Sequence, residues 1–333
     1  MEKYYITTPI YYVNDKPHIG HAYTTILADT ISRFRALVGE KPTFLTGLDE
    51  HGLKVQQAAE KNGKAPQDHC DSMAPAFIDL WKKLNINYSD FIRTTEHRHT
   101  KIVQQILTKV HESGDIYMDE YEGWYSISEE RFITEKELDS GQFGQVKQIK
   151  EKNYFFRMSK YQATLIDKIE KDELLIQPKS RKNEVLGFLK NELSDLCISR
   201  PKSRLEWGIE LPFDDNYVTY VWFDALINYI SAIGAYSNDE QFSSLWPADV
   251  HLIGKDILTT HSVYWPTMLL SLGLPLPERI FAHGWWLTDD QKMSKSLGNV
   301  VSPLMLIDDF GVDSVRYYLM SEMVLGMDAT FSS

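Results

Sequence analysis

Lys3-Tyr-Tyr-Ile-Thr-Thr-Pro-Ile10, then Asn14-Asp-Lys-Pro17, then Ile19 to Val38 lay out a strand, a polar turn and a helix. The first run is rich in β-branched and aromatic residues, which suit a pleated, half-buried surface. In the third, Ile19, Ala22, Ile26, Leu27, Ile31 and Phe34 recur at helical spacing. Gly39 stops that helix. Working outward, Thr43-Phe-Leu-Thr46 reads as a short buried strand, and His51 to Lys61 and Pro66 to Leu84 as helices. Phe91-Ile-Arg93 is strand-like, and Thr100 to His111 is helical. This alternation predicts an α/β fold with a parallel sheet covered by helices.

The rhythm changes after Gly114. Residues 115–156 carry aromatic residues in short alternations such as Ile116-Tyr-Met-Asp and Trp124-Tyr-Ser-Ile, with helices predicted near 160–172 and 181–195. We therefore read 114–215 as an inserted domain. The α/β rhythm resumes with Val218-Thr-Tyr-Val-Trp-Phe and a helix to Ile233. Val250-His-Leu-Ile253 and Arg279-Ile-Phe-Ala-His283 read as strands, Ile257 to Leu272 as a helix, and Pro303 to Met320 as mostly helical. The expected division is a core in two halves, 1–113 and 216–290, split by 114–215 and followed by 291–333.

Composition sets the outer bounds. The 333 residues are 43% hydrophobic and 25% charged, an ordinary globular balance. No apolar run approaches the ~20 residues of a membrane span. The start has no signal-peptide layout, so a cytoplasmic location is the expectation. Cys70 and Cys197 have no CxxC neighbour, which disfavours a disulfide framework and excludes a cysteine zinc knuckle. A net charge of −12 argues against a protein that coats nucleic acid. It leaves room for local contacts at Lys179, Arg181 and Lys182, or at Arg200, Lys202 and Arg204.

Two short motifs carry chemistry. Pro17-His-Ile-Gly-His21 lies between the first strand and the first helix. His18 and His21 fall on one side of that turn, at a helix end whose N–H groups and dipole favour phosphate. Gly20 removes a side chain where a nucleotide would approach. Imidazoles there can donate to phosphate oxygens as charge shifts in a transition state. Lys292-Met-Ser-Lys-Ser296 lies in a polar loop after a strand. Lys292 and Lys295 could close over a triphosphate and neutralise a leaving pyrophosphate. Neither a GxGxxG nor a P-loop pattern is present.

Taken in this order on an α/β core, the pair resembles the double signature of class I aminoacyl-tRNA synthetases. The resemblance narrows to the methionine enzymes and covers nearly the whole chain. Its stretches are Thr8-Pro-Ile-Tyr-Tyr12, Gly47-Leu-Asp-Glu-His-Gly52, Glu151-Lys-Asn-Tyr-Phe-Phe156, Ile198-Ser-Arg200 and Tyr220-Val-Trp-Phe-Asp-Ala225. Further along stand Ile253-Gly-Lys-Asp-Ile257, His283-Gly-Trp-Trp286 and Gly326-Met-Asp-Ala-Thr-Phe331. The resemblance implies a Rossmann-type parallel sheet split by a connective insertion. It implies a methionine pocket at Ile10, Tyr12, Trp222, Ala225, Tyr229, Ile257 and His261, with Asp49 facing the ammonium group. A thioether packs well among such rings. It further implies ATP contacts at Gly20, Gly254, Asp256, Lys295 and the backbone of Trp285 and Trp286.

The expected function is ATP-dependent activation of L-methionine to methionyl-adenylate and its transfer to the 3′ end of tRNA(Met), with Mg²⁺ accompanying ATP. Two other readings stand beside it. One is a non-catalytic binding module derived from a synthetase. The other is a small-substrate nucleotidyltransferase, which shares a His-x-x-His start. Departures from the family are also expected to matter. Trp124-Tyr-Ser-Ile-Ser128 stands where many relatives begin a zinc-binding cysteine pair, so the insertion is expected to be zinc-free and held by aromatic residues. Thr259-Thr260 replaces an aromatic residue before His261, and Leu226 a proline of some relatives. Relatives continue into a helical anticodon-reading domain, whereas this sequence stops at Ser333 after the catalytic region.

Overall fold

The computed structural model describes residues 2–126, 131–133, 138, 145–288, 291–293 and 301–332, without the side chains of residues 121, 131, 132, 291 and 292. The first turn of chain folds as read: strand β1 (Lys3–Tyr12) runs into helix α1 (Ile19–Leu37). Next come β2 (Lys41–Asp49), α2 (Leu53–Lys61), α3 (Pro66–Lys83), β3 (Asp90–Arg93) and α4 (His97–Glu112). After the inserted segment the core is completed by β12 (Val250–Gly254) and β13 (Arg279–His283).

With β7 (Leu175–Gln177) these strands form one six-stranded sheet in the order β3-β2-β1-β12-β13-β7, and every pairing in it is parallel. Side chains alternate between its faces, as the two-residue period of a strand demands. Tyr4 and Ile6 of β1, with Phe44 and Leu48 of β2, pack on the face covered by α1 and α3. Tyr5 and Leu45 pack on the face that holds α4 and the helix Trp265–Leu272. Both faces are thus buried, the usual state of a parallel sheet.

The sheet is crowded at Gly47, where an added Cβ would land on the backbone carbonyl of Ile92 in β3. Backbone cannot yield there without opening the β2–β3 pairing. Gly47→Ala should therefore destabilise the protein by about 3 kcal/mol, the upper range for overpacking. A urea midpoint within error of the parent protein would contradict this.

The segment read as an insertion divides. β4 (Ile116–Ser126), β5 (Arg131–Ile133), β6 (Val146–Phe156) and β8 (Leu196–Cys197) form a separate antiparallel sheet. Tyr125 is buried in it, beneath the guanidinium of Arg204, whose centre lies 4.0 Å from the ring centroid. Yet β7 (Leu175–Gln177), from the same stretch, is the edge strand of the main sheet, paired with β13. Residues 114–215 are not one separate body.

Tyr220-Val-Trp-Phe also departs from the expectation. β11 (Asp214–Thr219) lies in a small antiparallel sheet with β9 (Ser199–Pro201) and β10 (Glu210–Leu211), and Val221–Leu226 is helical. A short apolar run does not separate a buried strand from a buried helix turn. Here Phe223 and Leu226 both reach the core. The long helix predicted for Ile257 to Leu272 is likewise interrupted by a wide π turn at Thr260–Tyr264.

Candidate active site

In the main sheet β2 and β3 lie to one side of β1, and β12 and β13 to the other. The order in which strands are added reverses between β1 and β12, and the crevice beyond the carboxyl ends of such strands is where open α/β sheets hold ligands. A cavity of about 450 Å³ opens there. Its lining includes Ile10, Tyr12, His18, Gly20, His21, Asp49, Trp222, Ala225, Tyr229, Gly254, Asp256, Ile257, His261, Trp285 and Trp286. These residues come from stretches up to 276 positions apart, Ile10 to Trp286, and they line one space. The backbone of Lys292 pairs with Leu287 in the hairpin of β14 (Trp286–Thr288) and β15 (Gln291–Lys292). The Lys292 side chain and all of Lys295 lie outside the described residues.

One part of the lining is the histidine turn. His18 caps α1: its Nδ1 accepts from the Gly20 N–H at 3.0 Å, and the His18 N–H donates to Nδ1 of His21 at 3.2 Å. Two backbone donors at the helix start are thereby satisfied, as in a capping box. Because each Nδ1 accepts, the proton of each neutral ring sits on Nε2. The rings stack with centroids 3.8 Å apart. The need for glycine at 20 has a local cause: a Cβ there would come 2.9 Å from the His18 ring and dislodge the cap.

Another part of the lining is a buried aromatic pocket. The Tyr229 hydroxyl lies 2.7 Å from Nε2 of His261, whose Nδ1–H donates to the Ile257 carbonyl at 2.9 Å. His261 is thus a neutral acceptor and the phenol a donor. The π turn brings His261 to the wall, a common use of such turns. Trp222 stands edge-on to His261, and beneath Tyr229 lies His251, with centroids 4.2 Å apart. Ala225 keeps the wall small.

Burial holds His251, His261 and His283 neutral. It lowers all three pKa values, that of His261 to about 4. An unfolded chain protonates these rings below about pH 6.5, whereas the folded one does not. The unfolded state then binds more protons, so stability falls as pH drops. These histidines contribute fully above about pH 6.5 and less as pH falls below it; the contribution of His261 is lost toward about pH 4, at up to about 1.4 kcal/mol per pH unit. A urea midpoint that stays constant down to about pH 5 would contradict this.

Behind the pocket is a buried network that sequence reading missed. Asp224 accepts from Nδ1 of His51 at 2.6 Å and from Nε2 of His99 at 2.7 Å, and Nδ1 of His99 meets Ser231 at 2.7 Å. Burial opposes the Asp224 charge, but the two histidines hold its carboxyl below the usual range. The network ties the Trp222 and Ala225 helix to the turn after Asp49.

The outer wall differs from the expectation in one respect. Both backbone groups of Trp285 are engaged: its N–H donates to Asp328 at 2.9 Å and its carbonyl accepts from Ala329 at 3.0 Å. What Trp285 turns to its surroundings is its indole, which donates to Asp256 at 3.2 Å beneath the Lys255 ammonium, 4.1 Å from the ring. Lys54, Thr24, Asn228, His283 and Met293 also line the cavity, and the sequence reading singled out none of them. Thr24 had a usable signal, lying one helical turn after Gly20; its hydroxyl meets Nε2 of His283 at 2.7 Å.

A twofold-wound parallel sheet with a paired-histidine turn at the start of its first helix and a cavity across its switch point defines a class I synthetase catalytic fold. The chain matches the family described as tRNA synthetases class I (M) over residues 4–142 and 139–333. It belongs to that family, the methionyl-tRNA synthetases. It is 52% identical over 336 residues to the methionine–tRNA ligase of Clostridium tetani, covering 99% of this chain and 52% of that protein. It is 48% identical over 348 residues to that of Bacillus subtilis, with the same coverages. The chain thus spans about half the length of these curated relatives. Among solved structures, Mycobacterium tuberculosis methionyl-tRNA synthetase in complex with methionyl-adenylate superposes with a TM-score of 0.96 at 43% identity, covering 100% of this chain and 67% of that one. The free form of the same enzyme superposes with a TM-score of 0.81 at 39% identity, covering 100% and 64%.

Proposed function

We propose that the chain activates L-methionine with ATP, as the Mg²⁺ complex, to give methionyl-adenylate, and that transfer to the 3′ end of tRNA(Met) follows. The observation that carries the reading is one cavity lined both by a paired-histidine turn and by a neutral aromatic pocket. A methionine carboxylate oxygen attacks the α-phosphorus, the bond from that phosphorus to its bridging oxygen breaks, and pyrophosphate leaves. Chemistry of this kind asks the protein mainly for positioning and charge stabilisation. Asp49 pairs with the ammonium group, and Trp222, Ala225, Tyr229, Ile257 and His261 enclose the thioether with Ile10 and Tyr12. His18 and His21 steady the phosphates, and Gly254 and Asp256 lie at the ribose, beside Trp285 and Trp286. Lys292 and Lys295 take the leaving pyrophosphate, and Lys295→Ala should lower activation by more than about tenfold.

We assign the core to 1–113 and 216–290 with the tail at 291–333, and the insertion to 114–215 apart from β7. The zinc-free reading of the insertion rests on its lack of a cysteine pair. No helix among the described residues is long and apolar enough to cross a membrane, and a cytoplasmic site of action suits the reading. The test is methionine-dependent exchange of labelled pyrophosphate into ATP, a step that needs no tRNA. Exchange with methionine and not with other amino acids is the expected result. ATP binding without exchange would favour the non-catalytic binding module. AMP transfer to a phosphorylated small molecule would favour the nucleotidyltransferase.

A further inference from the structure

The chain leaves β2 at Asp49 through a turn that is held from several sides. Glu50 is fully buried, its carboxylate engaged by Arg93 at 2.7 Å and by Thr95, and its N–H donates to Thr94 at 2.9 Å. His51 is held by Asp224, and the Gly52 N–H by the Trp207 carbonyl at 3.1 Å. Gly52 has φ +108°, a conformation that glycine tolerates and side chains resist. That turn sets the start of α2, and so the place of Lys54, the second residue of the helix.

Lys54 is half-buried and lines the cavity with Asp49, His18 and His21. Among the described residues of the lining it carries the one ammonium, and no arginine joins it. Asp49 and Asp256 line the same space, and burial keeps His261 and His283 neutral. A lysine in the first turn of a helix is placed against the helix dipole, which favours anions there. The first turn of α2 carries no acidic residue to offset it. The position is unfavourable for the helix alone but favourable once an anion is bound, when dipole and ammonium act together.

We infer that Lys54 is a phosphate-binding residue, contacting the triphosphate of the nucleotide from the β2–α2 side of the cavity. The inference rests on the proposed nucleotide-dependent activation. It makes the first half of the core a source of positive charge in its own right.

The experiment compares the parent protein with Lys54→Met and Lys54→Arg. Dissociation constants are measured for ATP and for adenosine, and KM for ATP and for methionine in pyrophosphate exchange. Lys54→Met should weaken ATP on the order of tenfold, the effect of losing one hydrogen bond to a charged group. Adenosine affinity and the KM for methionine should stay within about twofold, and Lys54→Arg should recover most of the ATP affinity. Unchanged ATP affinity in Lys54→Met would overturn the inference. So would an equal loss for adenosine, which marks general damage, or a loss confined to methionine, which would place the ammonium at the amino-acid carboxylate. A parent protein that binds ATP but performs no exchange would sink the activation reading, and the ATP and adenosine constants would still decide the role of Lys54.

Discussion

His21→Asn and His21→Gln should differ in a crossed way. Asparagine places its amide oxygen near the position of Nδ1, where it can still accept from the His18 N–H, the bond that measures 3.2 Å here. Glutamine places its amide nitrogen near Nε2, where the proposed function puts a donor to phosphate, but it weakens the cap. If His21 acts in the transition state through Nε2, His21→Asn keeps most stability and loses about a hundredfold in kcat for exchange, as for one donor to a developing charge. His21→Gln loses up to about 1 kcal/mol of stability, the value of a cap, and keeps more of kcat. The reverse order of kcat would assign the turn a structural role alone. The same logic applies to His18, whose Nδ1 accepts from Gly20 at 3.0 Å.

Asp49→Ala should lower kcat/KM for methionine by about a hundredfold, roughly 3 kcal/mol, with ATP affinity unchanged. Asp49 ends β2 in register with Tyr12 of β1, and its carbonyl accepts from Val13 at 3.2 Å. Its backbone is therefore fixed, and its side chain, only 7% exposed, lines the cavity. A bound ammonium there would be withdrawn from water, and removing its partner leaves that charge uncompensated. Asp49→Asn keeps an acceptor but not the charge, and should fall between. A loss below about tenfold in Asp49→Ala would remove Asp49 from the ammonium site.

The core was legible where periodicity and punctuation agreed. Ile19 to Phe34 announced a helix, Gly39 its end, and Lys3 to Ile10 a strand, and the observed β1 and α1 follow these limits to within two residues. The first start of α2 was read too early, at His51, because Gly52 with its positive φ was not recognised as the break. β7 was unreadable as a core strand, since three residues, Leu175–Gln177, carry no periodic signal and their partner β13 lies about a hundred positions on. Tyr220 to Phe223 misled because aromatic and β-branched residues also serve a buried helix.

The cavity lining was legible mostly through resemblance. No spacing in the chain announces that Ile10, Trp222 and His261 meet, because tertiary structure alone brings them together. Buried polar contacts were the least readable part. The joining of His51, Asp224 and His99 depends on three elements distant in sequence, and each residue alone is an ordinary polar side chain. Lys54 was missed for the same reason: a lysine in an amphipathic helix reads as solvated until the cavity beside it is seen.

In the proposed function one cavity holds both substrates. A crystal structure with a non-hydrolysable methionyl-adenylate analogue tests it directly. The thioether should lie against Trp222, Tyr229 and His261, the ammonium at Asp49, the phosphate beside His21, and the ribose at Gly254 and Asp256. An analogue bound outside this cavity, or bound in it with the thioether end at the histidine turn, would contradict the account.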